Sequence, residues 1–341
     1  MTGGLKSFVP PLALAMLIGS MAAGVQRFAS PPGGLQLPKL VSAHPAFDVR
    51  VGGLEYPRES VDSDGFTVKI KQPPRRIVSQ FYSIDEFLYS LLPPQRVVAV
   101  SASAYQPSVS TVTEYAEKYH PAIASDPERV LRLNPDLILV SSSARSDFTS
   151  LTRNTGVPTY RMFTSFSSLE QVAQTIELMG YLTGEEANAR AKEAQFQEAV
   201  KQAEAMRPAD GHKPRILGLG GNYSYGSQTL FDDIVTKLGG VNVGAQGGLQ
   251  GYDEVNSEMI VKWDPEWIFA GANPGELEQT KSRLLADPAI SHTQAARLHH
   301  IVVLEGPVFF ASSPYSISLL KAIAQVLYGN SSHTPEVSVG L

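Results

Sequence analysis

A chain of 341 residues with a net charge of −5 and 18% charged residues is long enough for two ordinary domains, and it lacks the basic excess that a nucleic-acid partner favours. No nucleic acid is therefore expected among its partners. The sequence contains no cysteine, which excludes disulfides, thiolate metal sites, cysteine-held iron–sulfur clusters, a cysteine nucleophile and a lipid-modified cysteine within it.

Lys6 precedes an apolar run from Phe8 to Val25 with small residues at Ser20, Ala22 and Ala23. This is the pattern of a secretory signal, with an uncleaved anchor as the other reading; it is assigned to residues 1–29, and the rest of the chain is expected outside the cytoplasm. Residues 30–60, rich in Pro and Gly, read as an extended lead-in. An N-terminal lobe is expected over 61–166. It opens with a hairpin from Val61 to Ile70 that turns at Asp64-Gly65. A strand from Arg76 to Ser79, a loop holding Tyr82 and a helix from Ile84 to Leu92 follow. Next come a strand from Arg96 to Val100, a polar loop with Tyr105, a strand from Leu137 to Val140 leading to Arg145, and a last strand ending at Phe163.

Residues 167–207 read as linker helices. Ser167-Ser168-Leu169-Glu170 is a capping pattern, and Leu169, Val172, Ile176 and Met179 recur at helical steps. Gly180 reads as a stop and Thr183-Gly184-Glu185-Glu186 as a second cap, opening a rod of roughly 23 residues and about 35 Å that ends before Pro208. The C-terminal lobe is expected over 208–330, with a tail over 331–341. Its first strand, Arg215 to Leu219, runs into a glycine-rich loop carrying Tyr223 and Tyr225. A helix, a polar loop with Tyr252, a strand from Ile268 to Gly271 and a strand from Ile301 that leads to Phe309 and Phe310 follow, and a closing helix runs from Ser316 to Tyr328.

The two lobes repeat one design. Pro74-Arg75-Arg76-Ile77 matches Pro214-Arg215-Ile216, and in both lobes a Glu precedes a Pro by seven positions, Glu128 before Pro135 and Glu258 before Pro265. Alternating helices and strands imply α/β lobes with parallel sheets, whose ligands sit outside the carboxyl ends of the strands.

The ordered motifs Pro-Arg-Arg-Ile-Val-Ser, Leu-Asn-Pro-Asp-Leu-Ile-Leu, Leu-Thr-Gly-Glu-Glu, Phe-Asp-Asp-Ile-Val-Thr-Lys-Leu-Gly-Gly-Val-Asn and Glu-Met-Ile-Val-Lys-Trp-Asp-Pro-Glu resemble the substrate-binding proteins of ABC importers for iron-siderophores, cobalamin and haem. The resemblance covers about Val61 to Tyr328. It implies an α/β fold of two Rossmann-like lobes joined by one long, rigid α-helix, with the ligand in the cleft between them, and a monomer with no resident cofactor. It further implies that Glu128 and Glu258 dock onto the permease; the plain alternative is a glutamate favoured by a helix N-terminus. Many bacterial members carry a lipidated cysteine, which this sequence lacks.

Large chelates need aromatic walls and a few polar groups. Tyr82, Tyr105, Phe163, Tyr223, Tyr225, Tyr252, Phe309 and Phe310 are therefore the candidate ligand contacts, with Arg145 as a planar partner for an anionic group. A ferric siderophore is the first expected cargo, with cobalamin or haem as alternatives. Of the seven histidines, His299 and His300 precede the strand at Ile301 and are expected to be exposed, while His120, His212 and His292 lie far apart in sequence, so they do not suggest a site for bare metal. As an enzyme the chain reads poorly: in Gly218-Leu219-Gly220-Gly221-Asn222-Tyr223 the third glycine of a dinucleotide loop falls on Tyr223, and no G-x-S-x-G occurs. An extracytoplasmic sensor on the same fold, or a bare-metal or oxyanion carrier, remains as the other reading.

Overall fold

The computed structural model describes residues 55–119, 121–123, 126–209 and 211–329. The expected signal or anchor, most of the lead-in and the tail over 331–341 lie outside the described residues.

Arg58–Val61 (β1) and Thr67–Ile70 (β2) pair as the antiparallel hairpin, alternating so that Val68 and Ile70 face the core. The first lobe's sheet comprises Ile77–Ser79 (β3), Val97–Ser101 (β4), Ala122–Ile123 (β5), Leu137–Ser141 (β6) and Thr159–Met162 (β7). The order is β5-β4-β3-β6-β7 with every pairing parallel. Its apolar runs are buried on both faces by Tyr82–Leu91 (α1), Thr113–Tyr119 (α2), Pro127–Arg132 (α3) and Ser146–Arg153 (α4). Chain order reverses at β3, the switch point outside which ligands sit, and Tyr82 stands at that end.

The bridge is a helical hairpin, Leu169–Thr183 (α5) and Glu186–Ala205 (α6). Ser168 caps α5 by accepting from Gln171 N–H, and the backbone N–H of Leu169 donates to Asp233 of the second lobe at 2.8 Å. At its other end Tyr181 donates to Glu59 O at 3.2 Å, so α5 itself spans both lobes. Gly180 does not stop this helix. Gly184 does, in the left-handed conformation with φ 77°, and Thr183 caps nothing, bonding back to Met179 O instead. Gly180 serves the hairpin in another way: a Cβ there would meet the Ala189 Cβ at 2.3 Å, so only glycine lets the two arms close. The outer arm α6 has 20 residues, about 30 Å, a little shorter than the expected rod.

The second lobe holds Arg215–Gly220 (β8), Tyr223–Tyr225 (β9), Val241–Asn242 (β10), Tyr252–Glu254 (β11), Trp267–Ala272 (β12) and Ile301–Glu305 (β13), in the order β11-β9-β8-β12-β13 with β10 also on β8. Its helices are Leu230–Lys237 (α7), Val243–Gln246 (α8), Ser257–Trp263 (α9), Leu277–Ala286 (α10), Pro288–Ser291 (α11), Gln294–Arg297 (α12), Gly306–Phe309 (α13) and Ser316–Tyr328 (α14). β8, β10, β12 and β13 are mutually parallel, whereas β9 runs antiparallel to both its neighbours, β8 and β11. The glycine-rich stretch after β8 is thus a hairpin and no open loop, because Gly221 adopts φ 66° at its turn, a conformation cheap for glycine. Tyr252, expected in a loop, lies on the strand that extends this hairpin.

The duplication holds at atomic detail. Arg76 Nη2 donates to Leu133 O at 2.5 Å, and Arg215 Nη2 donates to Trp263 O at 2.5 Å, each acceptor two residues before the matched proline. Ile77 pairs with Leu137 in the register in which Ile216 pairs with Trp267.

Candidate functional site

Between the lobes lies an open cleft of about 730 Å³, counting its mouth and the solvent space within it. Tyr82, Val109, Thr164 and Ser165 line it from the first lobe; the second lobe supplies Tyr225, Tyr252, Phe231, Phe309 and Phe310 with Leu230, Leu319, Ala311 and Ser312. The first-lobe groups follow strand ends, β3 for Tyr82 and β7 for Thr164, as parallel topology requires.

The second-lobe wall is an aromatic cluster. The Tyr225 ring meets Tyr252 edge-on at 5.2 Å and Phe309 edge-on at 5.5 Å, and lies tilted against Phe231 at 5.2 Å. Phe309 and Phe310 meet edge-on at 5.2 Å. Such pairs are favoured by the ring quadrupole. Two strand glycines admit the rings: a Cβ on Gly218 would come within 2.7 Å of Phe231, and one on Gly271 within 2.7 Å of Phe309 and Phe310.

The electrostatics are uniform. Among the described residues that line the cavity there is no Asp, Glu, Lys, Arg or His. Burial pushes the Tyr82 and Tyr225 phenols well above their ordinary range, and Tyr252 up to about 12. All three are neutral hydrogen-bonding groups at physiological pH. Tyr82 Oη donates only a long bond of 3.5 Å to Phe310 O, and Tyr225 Oη is buried without a partner.

Five of the nine sequence candidates thus converge: Tyr82, Tyr225, Tyr252, Phe309 and Phe310. The other four are placed elsewhere. Tyr223 is on β9 next to Tyr225 but one, and its phenol donates to Glu254 at 3.0 Å at the sheet edge. Arg145 is exposed at the start of α4 and forks onto Asp147 at 2.9 and 3.2 Å. Phe163 lines a small pocket with Tyr160, Met162 and Leu178. Tyr105 closes the short turn Ala102–Tyr105 and packs on the core. Phe231, Leu319, Thr164 and Ser312 were not among the candidates. The first two read as ordinary helix core, while the two hydroxyl residues follow aromatic-rich strand ends that did mark the place.

Glu128 and Glu258 are exposed in the first turns of α3 and α9, behind the N-caps Asp126 and Asn256. Among the described residues no group of three or more His, Asp or Glu could hold a metal ion, and no helix is long and apolar enough to cross a membrane. His300, expected to be exposed, is half-buried and stacks on Trp267 at 3.8 Å.

A family model described as "Periplasmic binding protein" matches residues 77–308, from the first strand of one lobe to the aromatic wall of the other. The chain belongs to the periplasmic binding protein family. Among curated relatives of this periplasmic binding protein, a cobalamin-binding protein of Halobacterium salinarum is 26% identical over 271 residues, 78% of this chain and 71% of the relative. An uncharacterized ABC transporter substrate-binding lipoprotein, YvrC of Bacillus subtilis, is 23% identical over 280 residues, 78% of this chain and 84% of its own. Solved structures with the same fold include the periplasmic haem-binding protein RhuT of a Roseiflexus species, with a TM-score of 0.64 at 22% identity, covering 74% of this chain and 98% of that one. An ABC-type Fe3+-hydroxamate transport protein of Saccharomonospora viridis aligns with a TM-score of 0.63 at 18% identity, covering 80% and 99%.

Proposed function

We propose that this periplasmic binding protein captures an uncharged, amide-rich metal chelate, a cobalamin-type corrinoid first, and hands it to the permease of an ABC importer. The chain is the substrate-binding component of such an importer. The observation that carries the choice of cargo is the cavity lining, which combines six aromatic rings with hydroxyls and has no charged side chain among the described residues.

Buried without counter-charges, the carboxylates of a haem or the net anionic charge of a ferric catecholate would be left unpaired, at a cost of several kcal/mol. The phenols argue the same way. An iron centre that needs a tyrosinate ligand would have to draw a proton from a group that burial holds protonated, with no basic neighbour in the lining to help. A corrinoid rimmed by neutral amides fits: its flat apolar faces meet the aromatic wall, and its amides meet Tyr82, Tyr225, Thr164, Ser165 and Ser312. The 26% identical cobalamin-binding relative supports this reading. A neutral ferric hydroxamate satisfies the same lining and is the second reading, supported by the likeness to the hydroxamate transport protein. No bond is made or broken; the protein acts by complementarity, outside the cytoplasm, as a monomer.

The test is a titration of the purified protein, following tyrosine and tryptophan fluorescence, with cyanocobalamin, a ferric trihydroxamate, a ferric tricatecholate and haemin. Saturable binding of either neutral chelate, without binding of the two anionic ones, is expected. Tight haemin or catecholate binding would overturn the neutral-cargo reading.

A further inference from the structure

β8 and β12 lie side by side, and on one shared face each carries a bulky residue followed two positions later by a glycine: Ile216 then Gly218, and Phe269 then Gly271. Phe269 pairs with Gly218, and side chains alternate along a strand, so these four positions point the same way. Ile216 and Phe269 are fully buried in the core that also holds Tyr225, Phe231 and Phe309. The glycines that follow leave the sheet recessed by one side chain toward the carboxyl ends of its strands.

The aromatic wall of the cleft is seated in that recess. A Cβ on Gly218 would lie 2.7 and 2.8 Å from Phe231 Cζ and Cε1, and 2.9 Å from Tyr225 Cδ2. One on Gly271 would lie 2.7 Å from Phe309 Cδ1, and 2.7 and 2.8 Å from Phe310 Cζ and Cε2. Neither glycine lines the cleft, whereas all four rings do. The Tyr225 ring, 6% exposed, also carries the hydroxyl that is buried without a partner. Its distance from β8 therefore fixes where that hydroxyl stands in the cleft.

We propose that Gly218 and Gly271 are positioning residues that set the depth of the cleft, and through it discriminate a flat macrocycle from a compact chelate. Carbon atoms in contact stand about 3.5–4.0 Å apart, so a methyl group at either position requires the facing ring to shift by about 1 Å. Behind the glycines is sheet backbone, held by the ladders of β8 with β9, β10 and β12 and of β12 with β13. In front of the rings is the open cleft. The shift is therefore taken up by the rings, which advance into the space the cargo would use. A macrocycle laid against the whole wall loses more contact by that advance than a compact chelate that meets it at an edge.

The discrimination rests on reading the cleft as the cargo site; the seating of the rings does not. Crystal structures of empty Gly218→Ala and Gly271→Ala should show the facing rings advanced by about 1 Å with β8 and β12 in place. By fluorescence titration, each variant should bind cyanocobalamin at least about tenfold more weakly than the parent, and a ferric trihydroxamate less than about threefold more weakly. Gly240→Ala is the control: its Cβ would meet Ile216 Cδ1 at 3.0 Å and Val235 Cγ1 at 3.1 Å in the same lobe, outside the cleft lining. It should lower stability and leave the ratio of the two affinities unchanged. Where Gly218→Ala does not fold, the same change is made on Phe231→Leu, which lacks the ring atoms the methyl would strike. That double variant should fold and keep the affinity ratio of Phe231→Leu alone within about threefold. Rings that stay while the strand backs away, an affinity ratio equal to the parent's, or a double variant that folds no better than Gly218→Ala would overturn the proposal. If neither chelate binds the parent, the cargo reading fails, and the ring positions in the two crystal structures still decide whether the glycines set the depth.

Discussion

Asn134 and Asp264 hold the same uncommon backbone conformation, φ 48° and φ 40°, one residue ahead of the proline that leads into the strand beside each lobe's first. A left-handed residue with a side chain costs about 1–2 kcal/mol, least for Asn and Asp. Asn134→Ala should therefore lower stability by about 1 kcal/mol and Asn134→Gly should be close to neutral. Asp264 has a second task, accepting from Gln294 N–H at 2.8 Å, so Asp264→Gly should destabilise as well. Urea unfolding of the three variants measures this; an Asn134→Ala protein as stable as the parent would remove strain from the account.

Asp85 provides a pH test. Burial pushes its carboxyl up to about 7 from 3.8, opposed by the Ser101 and Ser79 hydroxyls and the Ser101 N–H and assisted by the charge of Glu86. A folded value above the unfolded one means that the folded protein keeps a proton that the unfolded chain releases between about pH 4 and 7. Stability contributed this way is present at the acid end and is lost as pH rises through that window, by about 1.4 kcal/mol per pH unit for each such group, with no further loss above it. Asp85→Asn should reduce this slope, the remainder coming from Glu86 and from the other carboxyls that burial raises, Glu177, Asp232 and Asp233. An unchanged slope in urea midpoints measured across the window would contradict the assignment.

What the sequence makes legible follows from chemistry that repeats locally. Pro135 and Pro265 mark the duplicated strands, and aromatic residues just past strand ends mark five cavity-lining residues. The misses are equally physical. Tyr223 is two residues from Tyr225 on the short strand β9, where Glu254 on the edge strand β11 engages its phenol, and nothing in Gly-Gly-Asn-Tyr-Ser-Tyr announces that β9 forms at all. Arg145 was read as a ligand for an anion, but Asp147 two residues on already answers its charge. Glu86 looks like any helical glutamate, since nothing local announces that it is fully buried with Thr111, 25 positions on, as its hydrogen-bond donor. Gly180 and Gly184 carry opposite roles on one residue type, a close helix approach and a left-handed cap, and only the second is a stop.

The permease assignment can be separated from binding. Glu128 and Glu258 are exposed at the starts of α3 and α9, so Glu128→Ala with Glu258→Ala should change stability by less than about 1 kcal/mol for each lost helix-dipole interaction. Neither residue lines the cavity. Chelate affinity measured by fluorescence should stay within about twofold while cellular uptake is abolished, given that the two sites are independent. Normal uptake by the double variant would show that docking uses another surface.

The Tyr225 hydroxyl separates stability from affinity in the opposite sense. In the empty protein Oη is buried without a partner, and burial keeps the phenol protonated. An unsatisfied buried hydroxyl costs about 1–3 kcal/mol, so Tyr225→Phe, which keeps the ring against Tyr252, Phe231 and Phe309, should raise the stability of the empty protein by about 1 kcal/mol. If the cargo supplies the missing partner, the same change removes one hydrogen bond from the complex and lowers affinity by about tenfold. Paired melts and titrations on one preparation read both effects. A variant that is more stable but binds equally well would place the hydroxyl away from the cargo, leaving Tyr225 a part of the aromatic wall alone.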